Sequence, residues 1–291
     1  MFWRLGDAGL LVQCPESIAS LLAMFLHGWS IASADSGGRP AVRAVSRGDG
    51  WRIEAHSLPR GGVDLTGDLA AAELVADAAA CELVASRERT ILPHAAAVEI
   101  GHGAALLLGD SGSGKSTLAL TLAAMGCRLI ADDRVGLAVE DGAVMAMALG
   151  LAPKARLPLP AAAAAGLPEF VKARSVRAGN GVAVLKLATD EQAPPGVQAP
   201  VRAFIRLDRR GGAARLEAES RAVIVRTLAE AAAAPGLTPE EVLAIAVAAT
   251  AAVPTYRLGY GESDEAARLL VEDLGSPSRR EETCAIGGAR M

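Results

Sequence analysis

Hydrophobic positions along the 291-residue chain change period several times. Over residues 9–14, 41–45 and 51–55 they alternate or cluster in runs of strand length. Ser46-Arg47-Gly48-Asp49-Gly50 lies between the last two runs, which predicts a hairpin. Residues 1–66 therefore read as a small β-rich N-terminal domain. Its three tryptophans, Trp3, Trp29 and Trp51, either fill a small core or offer a docking surface. From 68 to 86 the spacing turns helical, with Leu69, Leu74, Val75, Ala78, Ala79, Leu83 and Val84 in phase; this helix opens a second domain or bridges the two. Residues 90–100 then read as extended, turn at Gly101-His102-Gly103, and return as a strand over 104–108. A helix over 115–125 with Gly126 as its left-handed cap follows, then a short buried strand over 127–131. Strands are expected over 182–187, 201–207 and 254–258 and helices over 220–234, 238–252 and 262–274, the second helix opened by Thr238-Pro239-Glu240-Glu241. The pattern predicts an α/β domain over 67–275 and a flexible polar tail over 276–291.

The stretch that carries chemistry is Gly109-Asp110-Ser111-Gly112-Ser113-Gly114-Lys115-Ser116-Thr117. It follows an apolar strand, opens a helix, and fits the phosphate-loop pattern at Gly109, Gly114, Lys115 and Ser116. Successive backbone N–H groups in such a loop cradle nucleotide phosphates, Lys115 reaches the β/γ oxygens, and the Ser116 hydroxyl ligates Mg²⁺. The strand over 127–131 delivers Asp132-Asp133, which fits metal ordering by one acid and proton acceptance by the other. Arg134 is placed to pair with these acids or with phosphate. Setting Ile100 opposite Ala104 across the turn puts His94 opposite Asp110, at the mouth of the loop, where an imidazole can touch a phosphoryl oxygen or orient a carboxylate. Lys154 and Arg156, in a proline-bounded extended segment, fall on one face and suit a phosphate or an acidic peptide end. The basic residues Lys172, Arg174 and Arg177 read as a solvated or substrate-gripping loop, and Arg209 and Arg210 as candidates to approach nucleotide.

Composition narrows the partners. A net charge of −4 gives no reason to expect nucleic acid, and no apolar run reaches the ~18 residues of a membrane span. Cys14, Cys81, Cys127 and Cys284 are scattered without metal or disulfide spacing, so a reducing cytoplasm is the expected compartment.

The run from the loop through Gly126-Cys127-Arg128-Leu129-Ile130-Ala131-Asp132-Asp133-Arg134-Val135 resembles the core of the bacterial HPr kinase/phosphorylase family, and the likeness covers about residues 90–137. The resemblance implies a mixed-sheet P-loop domain of the phosphoenolpyruvate carboxykinase type, with ATP and Mg²⁺ used to phosphorylate a serine hydroxyl. It implies Asp133 as general base, His94 as its assistant, and Asp132 in support of the metal or base. The family's downstream L-E-x-R-G-x-G-type stretch has no counterpart between 140 and 190. That departure and the N-terminal domain resemble divergent relatives that tailor ribosomal peptides, including lasso-peptide kinases. The expected acceptor is thus a serine of a peptide or small protein. HPr itself, a small-molecule alcohol, or a role as a non-catalytic ATP-sensing regulator are the alternatives. The family resemblance leaves room for a homo-oligomer.

Overall fold

The computed structural model describes residues 1–275 except 86, 88, 162 and 180. The tail expected over 276–291 lies outside the described residues, as does Asn180 of Gly179-Asn180-Gly181, a sequence that reads as a turn. The first sheet takes β1 (Phe2–Leu5), β2 (Leu10–Gln13), β3 (Ile31–Ala34), β4 (Val42–Arg47), β5 (Gly50–Ala55) and β6 (Val63–Thr66) in the order β3-β1-β2-β4-β5-β6. The predicted hairpin forms with a tighter turn than expected: Arg47 pairs with Gly50, leaving only Gly48 and Asp49 between, and Gly48 supplies φ +62°. Between β2 and β3 lies α1 (Glu16–Phe25), which the β-rich reading omitted. It buries Ile18, Ala19, Leu22 and Phe25 along one face.

Helix α2 (Asp68–Ala85) packs on α1, β4 and β5, so its main partner is the first sheet rather than the larger unit that the sequence reading begins at residue 67. The alanine-rich surface is buried almost all round, which permits close approach and removes any one-sided signal in the sequence. The same core takes in Leu92, Met147, Leu149, Leu151, Ala152 and Val184 from the rest of the chain.

The larger unit contains β7 (Thr90–Pro93), β8 (Ala96–Ile100), β9 (Gly103–Leu108), α3 (Lys115–Ala124), β10 (Leu129–Ala131), β11 (Gly136–Glu140) and β12 (Ala143–Met147). It continues with β13 (Lys154–Arg156), α4 (Leu167–Arg174), β14 (Ser175–Gly179), β15 (Val182–Leu185) and β16 (Gln198–Asp208). The chain then adds β17 (Arg215–Ala218), α5 (Arg221–Ala231), β18 (Ala232–Ala233), α6 (Pro239–Ala252), β19 (Thr255–Gly259) and α7 (Ser263–Gly275). The main sheet runs β10-β8-β9-β16-β12-β11-β7-β18, with β19 on β16 and β17 on β19. It is mixed: β9 and β19 run parallel to β16, and the remaining neighbours are antiparallel. Helices α3, α4 and α7 enclose one core and α5 and α6 another. The expected capping chemistry of α6 is present as a capping box between Thr238 and Glu241.

Two details correct the expected hairpin before the loop. Ile100 pairs with Gly103 and Ala96 with Leu107, one residue out of step with the predicted register, and the ladder ends at Ala96. Residues 90–93 do not extend that ladder. As β7 they pair with β11 and β18 on the other arm of the sheet, so the chain crosses between arms at His94-Ala95. The basic stretch before residue 178 is likewise no open loop. Arg174 ends α4, pairs with both oxygens of Glu191, and lies 3.8 Å over the Phe170 ring.

Candidate active site

Strand β9 is buried at all six positions and ends at Leu108, where the glycine-rich turn begins. Ser113 N donates to Asp110 O at 3.1 Å, closing that turn, and α3 starts at Lys115. Two glycines are required by contact. At Gly109 (φ +145°) a Cβ would lie 2.8 Å from Ser113 Oγ, and at Gly114 (φ +100°) 2.5 Å from the Tyr260 hydroxyl. Tyr260 donates to Ser113 O at 3.2 Å from the end of β19, a support for the loop that the sequence reading missed. The Lys115 ammonium donates to Gly109 O at 2.7 Å and Asp110 O at 3.1 Å, so it is folded over the loop's opening. Burial pulls its pKa down, opposed by Asp132, Asp133 and Asp110.

The two acids that end β10 diverge in environment. Asp132 is buried and accepts the Ser116 Oγ hydrogen bond at 2.8 Å. Burial raises its carboxyl to about 6, against the Ser116 hydrogen bond. Asp133 is exposed and sits at φ +73°, a left-handed conformation that strains a residue with a Cβ. That twist brings its Oδ1 to 3.2 Å from His94 Nε2. His94 is fixed at the arm-to-arm crossing, its N–H donating to Ala231 O at the end of α5 at 3.0 Å. Burial and then Lys115 lower the imidazole pKa, while Asp133 pulls the other way. A neutral ring is therefore favoured, with Nε2 facing the Asp133 carboxylate.

Two cavities flank this pair. The first, about 370 Å³, is lined by Ser111, Gly112, Gly114, Lys115, Ser116 and Thr117 of the loop segment, and by Asp132, Asp133 and His94. Lys154 and Arg156 both line it. Their charges differ in availability. Lys154 donates to Glu73 of α2 at 2.6 Å; burial works against its charge, but Asp77 and Glu73 outweigh it and hold the ammonium above its ordinary pKa. Arg156 is exposed, with no carboxylate in ion-pairing range among the described residues. Arg209 lines the same cavity, whereas Arg210 turns to Asp208 at 2.7 Å. The first unit contributes Phe25 and Asp77 to the cavity wall, neither of them anticipated from the sequence. The one available signal for Asp77 was an acid embedded in an alanine-rich helix.

The second cavity, about 750 Å³, also meets the pair and lies against Gly109, Asp110 and Ser113, with Arg134, Arg206 and Arg226 in its wall.

Buried Ser113 Oγ has no hydrogen-bond partner among the described residues, and nothing lies within 4 Å of where a Cβ would stand at Gly112, so the loop has a spare polar atom and open backbone. Ser116 and Asp132 form an oxygen pair suited to a hard cation. Among the described residues no three or more His, Cys, Asp or Glu side chains form a metal cluster; Mg²⁺ in nucleotide sites takes few protein ligands and completes its shell with phosphate and water. Among the described residues no helix is long and apolar enough to cross a membrane.

No family model matches the chain, and no curated protein matches it. Among solved structures, that of the Hpr(Ser) kinase/phosphatase from Coxiella burnetii is similar over 68% of this chain and 93% of that one, at 14% identity and a TM-score of 0.32. A likeness at that level carries no weight for activity or substrate.

Proposed function

We propose that the chain is an ATP- and Mg²⁺-dependent kinase that transfers the γ-phosphoryl group to a serine hydroxyl of a peptide or small protein. The observation that carries this reading is the Asp133–His94 pair at 3.2 Å, set beside a phosphate loop whose Ser116 is tied to a second, buried acid. A loop alone speaks only for binding phosphate; a separate, exposed carboxylate oriented by a neutral imidazole adds a proton acceptor. In the proposed step the acceptor oxygen bonds to the γ-phosphorus, the bond from phosphorus to the β,γ-bridging oxygen breaks, and the hydroxyl proton passes to Asp133. His94 holds that carboxylate in place. Lys115 and the loop N–H groups neutralise charge on the phosphates, and Ser116 and Asp132 would hold the metal, which when bound neutralises phosphate oxygens.

The serine acceptor, and the finer expectation of a ribosomal, lasso-type peptide, rest on the motif resemblance around residues 90–137. Mass spectrometry of serine-containing peptides and of HPr after incubation with the chain and MgATP tests them. The expected result is a phosphoryl group on serine, absent with Lys115→Ala. ATP binding without transfer to any hydroxyl, water included, would favour the sensor alternative.

A further inference from the structure

The two cavities share only His94, Ser111 and Asp133. Lys115, Ser116, Thr117 and Asp132, the ammonium, the two hydroxyls and the buried acid that suit phosphate and metal, face the first cavity and not the second. The first cavity also has an apolar wall of Leu120, Leu159 and Val182, fit for a nucleoside. The second cavity contains none of these and opens on Gly109, Asp110 and Ser113. Phosphoryl transfer is roughly in line, so the incoming oxygen and the leaving nucleotide oxygen lie on opposite sides of phosphorus. The two cavities meet at Asp133, so a nucleotide in the first and an acceptor in the second would bring the acceptor hydroxyl to that carboxylate.

The charge of this second cavity is uneven. Arg206 is committed to Glu219, with guanidinium–carboxylate distances of 2.7 and 2.8 Å. Arg134 is half-buried and Arg226 exposed on α5, and among the described residues neither has a carboxylate within 4.0 Å. A half-buried guanidinium without a partner is costly, and its planar fork matches a carboxylate. Asp110, Asp133 and Glu230 line the same space and disfavour a dianion more than a single negative charge. Leu207, Val223 and Ala231 to Ala233 leave a narrow apolar floor.

We infer that the second cavity is the acceptor site, and that Arg134 and Arg226 grip a carboxylate carried beside the acceptor hydroxyl. The inference rests on the phosphoryl-transfer reading. Its carboxylate has two sources, the acceptor residue's own terminal group or the side chain of a neighbouring acid. The test is calorimetric titration of the full chain, loaded with MgADP, with N-acetyl-L-serine, N-acetyl-L-serinamide, and the N-acetyl amide of Ser-Asp. At least one carboxylate probe should bind about 10-fold more tightly than the serinamide, and which one does identifies the source. Arg226→Ala, on an exposed helix face, and Arg134→Ala should each reduce that preference to about 3-fold or less, while Arg226→Ala leaves MgADP affinity unchanged. Equal binding of all three probes, no binding of any, or a preference that survives both substitutions overturns the assignment. Transfer from [γ-³²P]ATP is followed in parallel. A binding preference without transfer would sink the kinase reading and leave the clamp standing, whereas equal transfer to acid and amide would do the reverse.

Discussion

Asp133 combines a strained backbone with an exposed, histidine-held carboxylate, and the two properties are separable by substitution. At φ +73° glycine is relaxed where aspartate is not. Asp133→Gly should therefore raise thermal stability by about 1 kcal/mol while abolishing transfer. An active or a less stable glycine variant, measured by calorimetry and γ-phosphate release, would break the link between strain and function. His94 acts through Asp133, so His94→Ala should lower kcat by roughly 10- to 100-fold and leave ATP affinity near its original value. A fall confined to ATP affinity would place His94 on the phosphates instead. At this scale the sequence was informative because loop and acids are local signals, each within a strand's reach of the other. His94 was found by a register one residue in error; it still meets the site because the chain crosses between sheet arms there. Arg226 and Tyr260 were invisible, since only the packing of α5 and β19 brings them to the loop.

Helix α2 shows what an element adds. Glu73, Asp77 and Cys81 recur at four-residue intervals, one face turned toward the site: Glu73 pairs with Lys154, and Asp77 lines the first cavity. Burial raises Asp77 to about 6, with Lys154 opposing. The folded pKa lies above the unfolded value of 3.8, so the unfolded chain ionises first as pH rises. Asp77 therefore costs stability that grows between pH 4 and 6 and stays constant above, on the order of 3 kcal/mol. Asp77→Asn should accordingly raise Tm at pH 7.5 and change it little at pH 4; the reverse ordering would show that the attraction to Lys154 dominates. The helix itself was legible from its spacing. Its partner was not, because a helix buried nearly all round in alanine gives no preferred face.

At the scale of the whole molecule the six-stranded sheet and the larger unit share a core, and the turn around Gly150 is one of the places that join them. Trp29 Nε1 donates to Leu149 O at 3.0 Å, His27 N to Gly150 O at 2.7 Å, and Ala152 N to Phe25 O at 2.8 Å. Gly150, at φ +65°, admits no Cβ: one would stand 2.5 Å from Trp29 Nε1 and 2.6 Å from His27 O. Gly150→Ala should destabilise the chain by about 2–4 kcal/mol and shift one calorimetric transition as a unit. Two resolved transitions would mean the sheets fold separately. The pattern of hydrophobic positions divides the chain at residue 66, and the long-range contacts that join Trp29 to Leu149 have no local signature. That junction also places Phe25 and Asp77 in the wall of the site, so the first unit is part of the candidate active centre. The central claim is that this centre moves a phosphoryl group with Asp133 as its base. The direct measurement compares ATP affinity and the rate of γ-phosphoryl transfer in the wild type and Asp133→Asn. The account predicts that the variant binds MgATP about as tightly while transfer falls by at least about 10²-fold. Transfer at the wild-type rate in Asp133→Asn, or a wild-type chain that does not bind MgATP, would contradict it.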